Sequence, residues 1–591
     1  MQQKNFIFWL ITINILVLFI LPDLNTAHYD PLPEFWAETT FTWAAITLFL
    51  LTCFAFDKIY IPKVIIPLLA FAIFLVVQPY LVTIDFIGLS YVAALEMLIC
   101  VLLAITISTL IQKFSLNTMV SLICYALVIG ALLQSIIGFL QYSSLYKYFS
   151  SLLFYDSAHP NTNIFGHFGQ RNHYCHYLTW AVFSLIYLFH QGKIKLPTFS
   201  IIVGWFIFSI TIAASRSVFL YFACAALITC VFYIVNQNAS TKKLFILVCL
   251  TSIILVGTEY LYPIIIKALY HQNNLSSGLQ RITAEAGDSG IWGRRMIEWH
   301  KAWIVFKSSP LVGYGWNEYA KQSVYLQSLF PNAPLNSGLF TNCHNLILQL
   351  LAETGIIGTF IVVVGLLYTI YSIIKLNSPE CIIILCMVFT TLIHSMVEYP
   401  LWYMYFLGPL IIFLAIDKPI MKLSSNLIAG IVIVPLSTII YLIFQGSLMF
   451  NTLVYYIDSP IDSKPFITQS TYVENLANHN ILWAYPALYV LDSYIIINDA
   501  NTNKCFSTET QLQYENKFSN FHPYPDNMIK QAMLNWNLGN KIQARQLVNM
   551  ALVAYPVYKN SYLNSLKNPK YQELYKVVKA YKYSPTSGAS I

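Results

Sequence analysis

About thirteen stretches of this chain are long and apolar enough to cross a lipid bilayer, and they occupy most of its first 450 residues. They fall near residues 5–22, 38–56, 62–80, 86–112, 117–140, 172–190, 198–214, 217–235, 244–266, 345–374, 380–395, 401–416 and 427–450. A helix needs about 20 apolar residues to span the hydrocarbon core. Of 591 residues, 57% are hydrophobic and 10% charged, so the expected fold is an all-α polytopic membrane protein and a soluble enzyme is excluded. The net charge of +7 is not gathered into a basic face, which removes nucleic acid as a partner. The first stretch follows Lys4 and precedes no small-residue cleavage pattern, so it is read as a retained helix.

Lysine sets the orientation. With the N-terminus inside, alternate connections carry Lys58 and Lys63, Lys113, Lys193 and Lys195, Lys242 and Lys243, Lys375, then Lys418 and Lys422. The short connections between them, at 23–37, 81–85 and 396–400, carry neither lysine nor arginine. Positive charge accumulates on the cytoplasmic side, so segments 141–171 and 267–344 become outer loops. An odd number of spans puts the polar segment 451–591 outside as well. Within it, MLNWNLGNKIQARQLVNMALVAYP reads as two amphipathic helices broken at Leu538-Gly539-Asn540. One such hairpin resembles a tetratricopeptide unit, but repeat arrays need about three. The expectation is a transmembrane domain over 1–450 and a small helical domain over 451–591.

Arginine runs against this bias. Only six occur, and Arg171, Arg216, Arg281, Arg294 and Arg295 all fall on the outer side. Topology does not put them there, whereas a guanidinium fork binds phosphate with two parallel hydrogen bonds and keeps its charge. Arg171 lies in NIFGHFGQRNHYCHYL, where Gln170, Arg171, Asn172 and His173 open a helix. A helix start with an arginine makes an anion site; a capped interfacial helix with Arg171 snorkelling to headgroups is the plainer alternative. Arg216 sits between two apolar runs in AASRSVFLYF, a costly place for a charge and hence a functional candidate. Arg294 and Arg295 begin GRRMIEWHKAWIVFKSSPLVGYGWNEY, an amphipathic helix and a Gly-Tyr-Gly-Trp turn.

Histidine follows the same side: of twelve, only His190 approaches the cytoplasm, and His271 is among those outside. His344, in TNCHNLILQLLAETGIIG, stands at the mouth of a spanning helix as a catalyst or a cap residue. His394 and Glu398 share HSMVEYPLWYMYFLGP, where the carboxylate could fix the histidine's tautomer or satisfy a buried interface. His159, His167, His173 and His176 do not repeat a zinc spacing, and no metal is expected. Most of the eleven cysteines lie in apolar runs; Cys343 and Cys505 face an oxidising space, which leaves a disulfide open.

Taken in order, FGQRNH, SRS, the arginine helix with its SPLVGYGW turn, and HNLILQLLAETG resemble the O-antigen ligase and polymerase superfamily (WaaL and Wzy). FGQRNH, HSMVEYPLWY and the early PLPEFWAE are most similar to bacterial protein O-oligosaccharyltransferases of the PglL type. The likeness covers nearly all of residues 1–450. It implies a GT-C-related membrane glycosyltransferase that moves an oligosaccharide from undecaprenyl diphosphate to a periplasmic acceptor, a pilin among the candidates, without cofactor or metal. It further implies that Arg216 and Arg295 bind the diphosphate with help from Arg171, and that His344 is the essential loop histidine. Gln170 and His394 belong to family boxes without an assigned role, and Asn172, His173, Arg294 and Glu398 are supporting candidates.

A serine or threonine hydroxyl gains from a nearby base, and a lipid diphosphate leaves well once its charge is neutralised. On this reading Arg216 and Arg295 stabilise the leaving group and His344 activates the hydroxyl. The competing assignment makes His344 a phosphate ligand and Asp288, Glu298 or Glu398 the base. Ligation to lipid A core and glycan polymerisation share the same donor chemistry. A lipid-linked glycan transporter is the more remote reading, since Glu96 is nearly the only deep acid.

Overall fold

The computed structural model describes residues 2–270, 277–285, 290–331, 338–459 and 466–582; His271 and Asp288 lie outside these. In lipid every backbone polar group must be satisfied within its own segment, and a helix occupies each of the apolar stretches. In chain order they are α1 (Gln2–Ile20), α2 (Phe35–Ala55), α3 (Ile65–Val77), α4 (Ile87–Phe114), α5 (Leu116–Tyr142), α6 (Arg171–His190), α7 (Leu196–Ala213), α8 (Val218–Asn236) and α9 (Ala239–Tyr270). After the loop helices α10 (Gly278–Glu285), α11 (Gly290–Ser308) and α12 (Tyr319–Tyr325) come α13 (Leu346–Ile374), α14 (Pro379–Ser395), α15 (Met404–Leu414) and α16 (Ser425–Ile457). Among the described residues, α2, α4, α5, α7, α8, α9, α13 and α16 are long and apolar enough to cross a membrane, while α1, α3, α14 and α15 are apolar but shorter.

Burial sorts these helices. α6 is buried continuously from His173 to Leu188 and packs on α5, α7, α9 and α14, as a central helix must. α16 presents Ile431, Val434, Tyr441 and Phe444 outward, an apolar face suited to lipid.

The lysine-bearing connections meet at one end. There the otherwise helical chain carries one small strand pair: β1 (Lys58–Ile61) pairs antiparallel with β2 (Met421–Ser424), Lys58 opposite Ser424. Tyr60 also donates its N–H to Thr109 Oγ1 at 2.9 Å, so these polar connections are paired with each other and with a neighbouring helix. Lys63 reaches Asp417 at 3.0 Å and Ser372 at 2.9 Å. Lys193 bonds Asn117, which bonds Glu380.

At the opposite end the long loops are locked to the bundle by backbone. Two glutamines of α5 hold the first: Gln141 accepts from Phe165 N and Gly166 N at 3.1 Å, and Gln134 accepts from His167 N at 3.0 Å. In the second loop the turn 310–315 enters a break in α13 at Gly355 (φ 63°, ψ −163°). Tyr314 N and Gly315 N donate to the carbonyls of Ala352 and Glu353, and Ile356 N and Ile357 N donate to those of Pro310 and Leu311. That explains the glycines of the GYGW and ETGIIG boxes.

Beyond α16 follow α17 (Phe466–His479), α18 (Ala484–Tyr494), α19 (Ala500–Cys505), α20 (Thr508–Phe521), α21 (Pro525–Asn537), α22 (Lys541–Ala554), α23 (Lys559–Ser565) and α24 (Gln572–Ala580). α21 and α22 break at Leu538–Asn540, with Gly539 at φ +85°. Their apolar cores borrow from the rest of the chain. Phe86, Phe450 and Leu453 complete the cluster around α17, α18 and α20, and Val324 of α12 enters the one around α21, α22 and α24. Cys343 and Cys505 are both free thiols; Cys343 is buried with Sγ 3.4 Å from Asn345 O, so the disulfide left open by the sequence is absent.

Candidate active site

One carboxylate gathers three separate sequence boxes. Glu398, in the turn after α14, accepts from Arg295 of α11 at 2.7 Å and from Asn172 Nδ2 of α6 at 2.9 Å, both on Oε1. Its Oε2 lies 2.9 Å from Nδ1 of His344. Glu398 is 5% exposed, Arg295 14% and His344 20%, so the carboxylate is the floor and the other two form the accessible surface.

Local structure aims each side chain. Asn345 caps α13 by accepting from Leu348 N, and Asn342 Oδ1 accepts from His344 N at 2.7 Å. His344 between them takes a left-handed conformation (φ 57°), uncommon outside glycine. Its ring packs against Phe340 and Tyr399. Asn172 stands in the first turn of α6 and accepts from Ser215 Oγ at 2.7 Å. This ties the SRS box, through Ser215, to the same centre. Ser215 also pairs with Ser217 at 3.0 Å. Arg171 donates to Asn163 Oδ1 at 2.8 Å and lies close enough to Arg216 to interact with its charge.

Burial on its own raises the Glu398 carboxyl, but the hydrogen bond and charge of His344 and the charge of Arg295 outweigh it and hold the group well below the usual carboxylate range. Glu398 therefore works as a fixed anion. With Nδ1–H turned to Glu398, a neutral His344 ring would have Nε2 as its accepting nitrogen, the arrangement in which a carboxylate orients a histidine base.

Other residues singled out from the sequence go elsewhere. His394 does not meet the Glu398 carboxylate; only its carbonyl accepts from Glu398 N, at 2.8 Å. Its ring is fully buried, with Nδ1 2.8 Å from Nδ1 of His176. The ring that lies against the Glu398 carboxylate is that of His344 instead. His173 packs beside His394, Tyr403 and Phe406. His173 and His176 are core residues of α6, not solvated loop groups. Gln170 precedes α6 without a side-chain cap bond. Arg294 turns away from its neighbour into a buried network, pairing with Glu298 at 2.6 Å. Glu298 itself is enclosed by Lys301, Tyr319 and Ser323, which leaves it no open side from which to act as a base. Ser215, Phe340 and Lys301 were not legible as site residues; only the polar i, i+4, i+7 spacing of Arg294, Glu298 and Lys301 could have marked a buried stripe.

The family model described as O-Antigen ligase matches residues 201–363, and that described as Protein glycosylation ligase matches residues 164–189. A third, described as Virulence factor membrane-bound polymerase, C-terminal, matches residues 382–565. Two relatives from Acinetobacter baylyi (strain ATCC 33305 / BD413 / ADP1) are similar in part. A general O-oligosaccharyltransferase is 27% identical over 295 residues, 49% of this chain and 49% of the relative. A ComP-specific O-oligosaccharyltransferase is 26% identical over 246 residues, 41% of each. The matched part of the chain thus spans about half the length of the curated relatives, or less.

Proposed function

Because the chain belongs to the O-antigen ligase superfamily, on the side of the PglL-type protein glycosylation ligases, we propose that it is a protein O-oligosaccharyltransferase. It takes an oligosaccharide en bloc from undecaprenyl diphosphate and delivers it to serine or threonine of a periplasmic protein, a type IV pilin among the candidates. The site faces the periplasm from the bacterial inner membrane, in a domain of about thirteen spans with a helical periplasmic tail.

The observation that carries this reading is the Glu398 hub, with His344 and Arg295 side by side on one carboxylate. The acceptor hydroxyl oxygen attacks the anomeric carbon of the first sugar while its proton passes to His344 Nε2. The bond from that carbon to the diphosphate oxygen breaks, and the electron pair leaves on undecaprenyl diphosphate. Arg295 and Arg216 neutralise the charge that develops there, with Arg171 in support; preset cations in a water-poor site are effective at this. Glu398 stabilises the imidazolium. Two of the alternative base assignments are weakened by geometry, since three donors already occupy Glu398 and Glu298 is enclosed; Asp288 lies outside the described residues.

Co-expression with a pilin and a lipid-linked glycan, read by intact-protein mass, tests the reaction. A glycan mass on the pilin is expected, and His344→Ala and His344→Gln should abolish it; modification of lipopolysaccharide alone would favour the ligase instead. Near-normal transfer by both variants would remove His344 from catalysis. Donor binding should weaken in Arg216→Ala and Arg295→Ala, and unchanged affinity in either would contradict the clamp.

A further inference from the structure

Beneath Arg295 lies a cluster of charges that the reaction does not use. Arg294, Glu298 and Lys301 follow one another along a single face of α11, and all three are buried against α12 and the turn Leu326–Leu329. Lys301 Nζ donates to Glu298 Oε1 at 2.9 Å, to Gln327 Oε1 at 2.7 Å and to Ser323 Oγ at 3.4 Å. Arg294 donates to the same Gln327 oxygen at 3.1 Å. Glu298 Oε2 accepts from Tyr319 OH at 2.8 Å and Ser323 Oγ at 2.7 Å.

Packing alone does not account for such a face. Apolar residues of equal volume would serve stability as well or better, because burying three ions costs more desolvation than their attraction reliably returns. Two cations share one anion, and burial draws Lys301 down to about 8 against the pull of Glu298. What the network does fix is rotation. Neighbouring residues on a helix point about 100° apart, so seating Arg294 in the network turns Arg295 to Glu398. The same Arg294 guanidinium lies 4.9 Å over the ring of Phe340, whose ring centroid is 5.5 Å from that of His344. One cluster therefore braces both members of the site.

We propose that Arg294, Glu298 and Lys301, with Gln327 as the shared acceptor, are positioning residues that set the rotation of α11 and so deliver Arg295 to the donor diphosphate. Arg294 then acts through its neighbour and not as a phosphate ligand. This rests on the donor-binding role given to Arg295 above.

The test is a double-mutant cycle on the full-length protein in detergent, with undecaprenyl diphosphate as the probe. Lys301→Met should weaken its binding about 3–10-fold, within the range of indirect coupling. That factor should vanish in an Arg295→Ala background, because residues that act through one contact are not additive. A loss of the same factor in both backgrounds, or no loss in either, overturns the proposal. Gln327→Met removes the shared acceptor without changing any charge, and answers the same question if Lys301→Met does not fold. Unchanged binding by Arg295→Ala alone would instead sink the clamp on which the inference stands.

Discussion

At the scale of single residues, Glu398 decides most of what the site can do. Glu398→Gln keeps the shape but removes the anion that holds His344 in one tautomer, and kcat on preformed lipid-linked glycan should fall on the order of 10²–10⁴-fold, the usual worth of a positioned base. Its pH behaviour follows from a carboxyl held below its ordinary range. Such a group stabilises the fold fully above the unfolded carboxyl pKa of about 4.3 and loses that contribution as pH falls toward the native value. In thermal unfolding, the advantage of the natural protein over Glu398→Gln should not shrink between about pH 7 and 5 and should be lost only below about 4. An advantage already shrinking between those upper values would show that the carboxylate is not the stabilising form. The sequence marked His344, Arg295, Asn172 and Glu398 by chemistry and family likeness. It could not show which histidine Glu398 serves, because His394 is four residues away along the chain and His344 is fifty-four.

Elements explain why those boxes contain glycine. Gly355 sits at φ 63°, ψ −163° within α13, and a Cβ there would lie 2.4 Å from the Leu311 carbonyl oxygen. This region is almost closed to other residues. Gly355→Ala should cost at least about 1–3 kcal/mol of stability, seen as a lower unfolding temperature in detergent; an unchanged temperature would mean that the turn is not clamped. The apolar runs were readable because a spanning helix must be continuous and apolar. The β1–β2 pair was not, since its two strands lie far apart in the chain and at four residues each are too short for their alternation to stand out beside the apolar runs. Gln134 and Gln141, seven residues apart on one helix, were the overlooked sign that α5 grips a loop.

On the scale of the whole molecule, the lysines of the alternate connections, such as Lys63 and Lys193, gather at one end of the bundle while Arg295, His344 and Glu398 meet at the other. Reporter fusions should therefore report the cytosol after Lys242 and the periplasm after Ser309; a cytosolic signal after Ser309 would put the centre on the wrong side for any periplasmic acceptor. Lysine placement made this polarity legible, because charge bias acts on loops irrespective of how helices pack. The packing order of the helices was hidden, since one apolar run resembles another until its neighbours are known.

Val324 belongs by sequence to the loop between α9 and α13, yet its side chain completes the interior of the tail. A graft that exchanged residues 451–591 for the tail of a relative would confront that valine with a foreign socket and disturb α12, which also carries Ser323 beside Lys301. The unit of exchange is thus the tail together with 319–329, and recombination between such proteins would have to move both pieces to keep α12 and the Lys301 network in register.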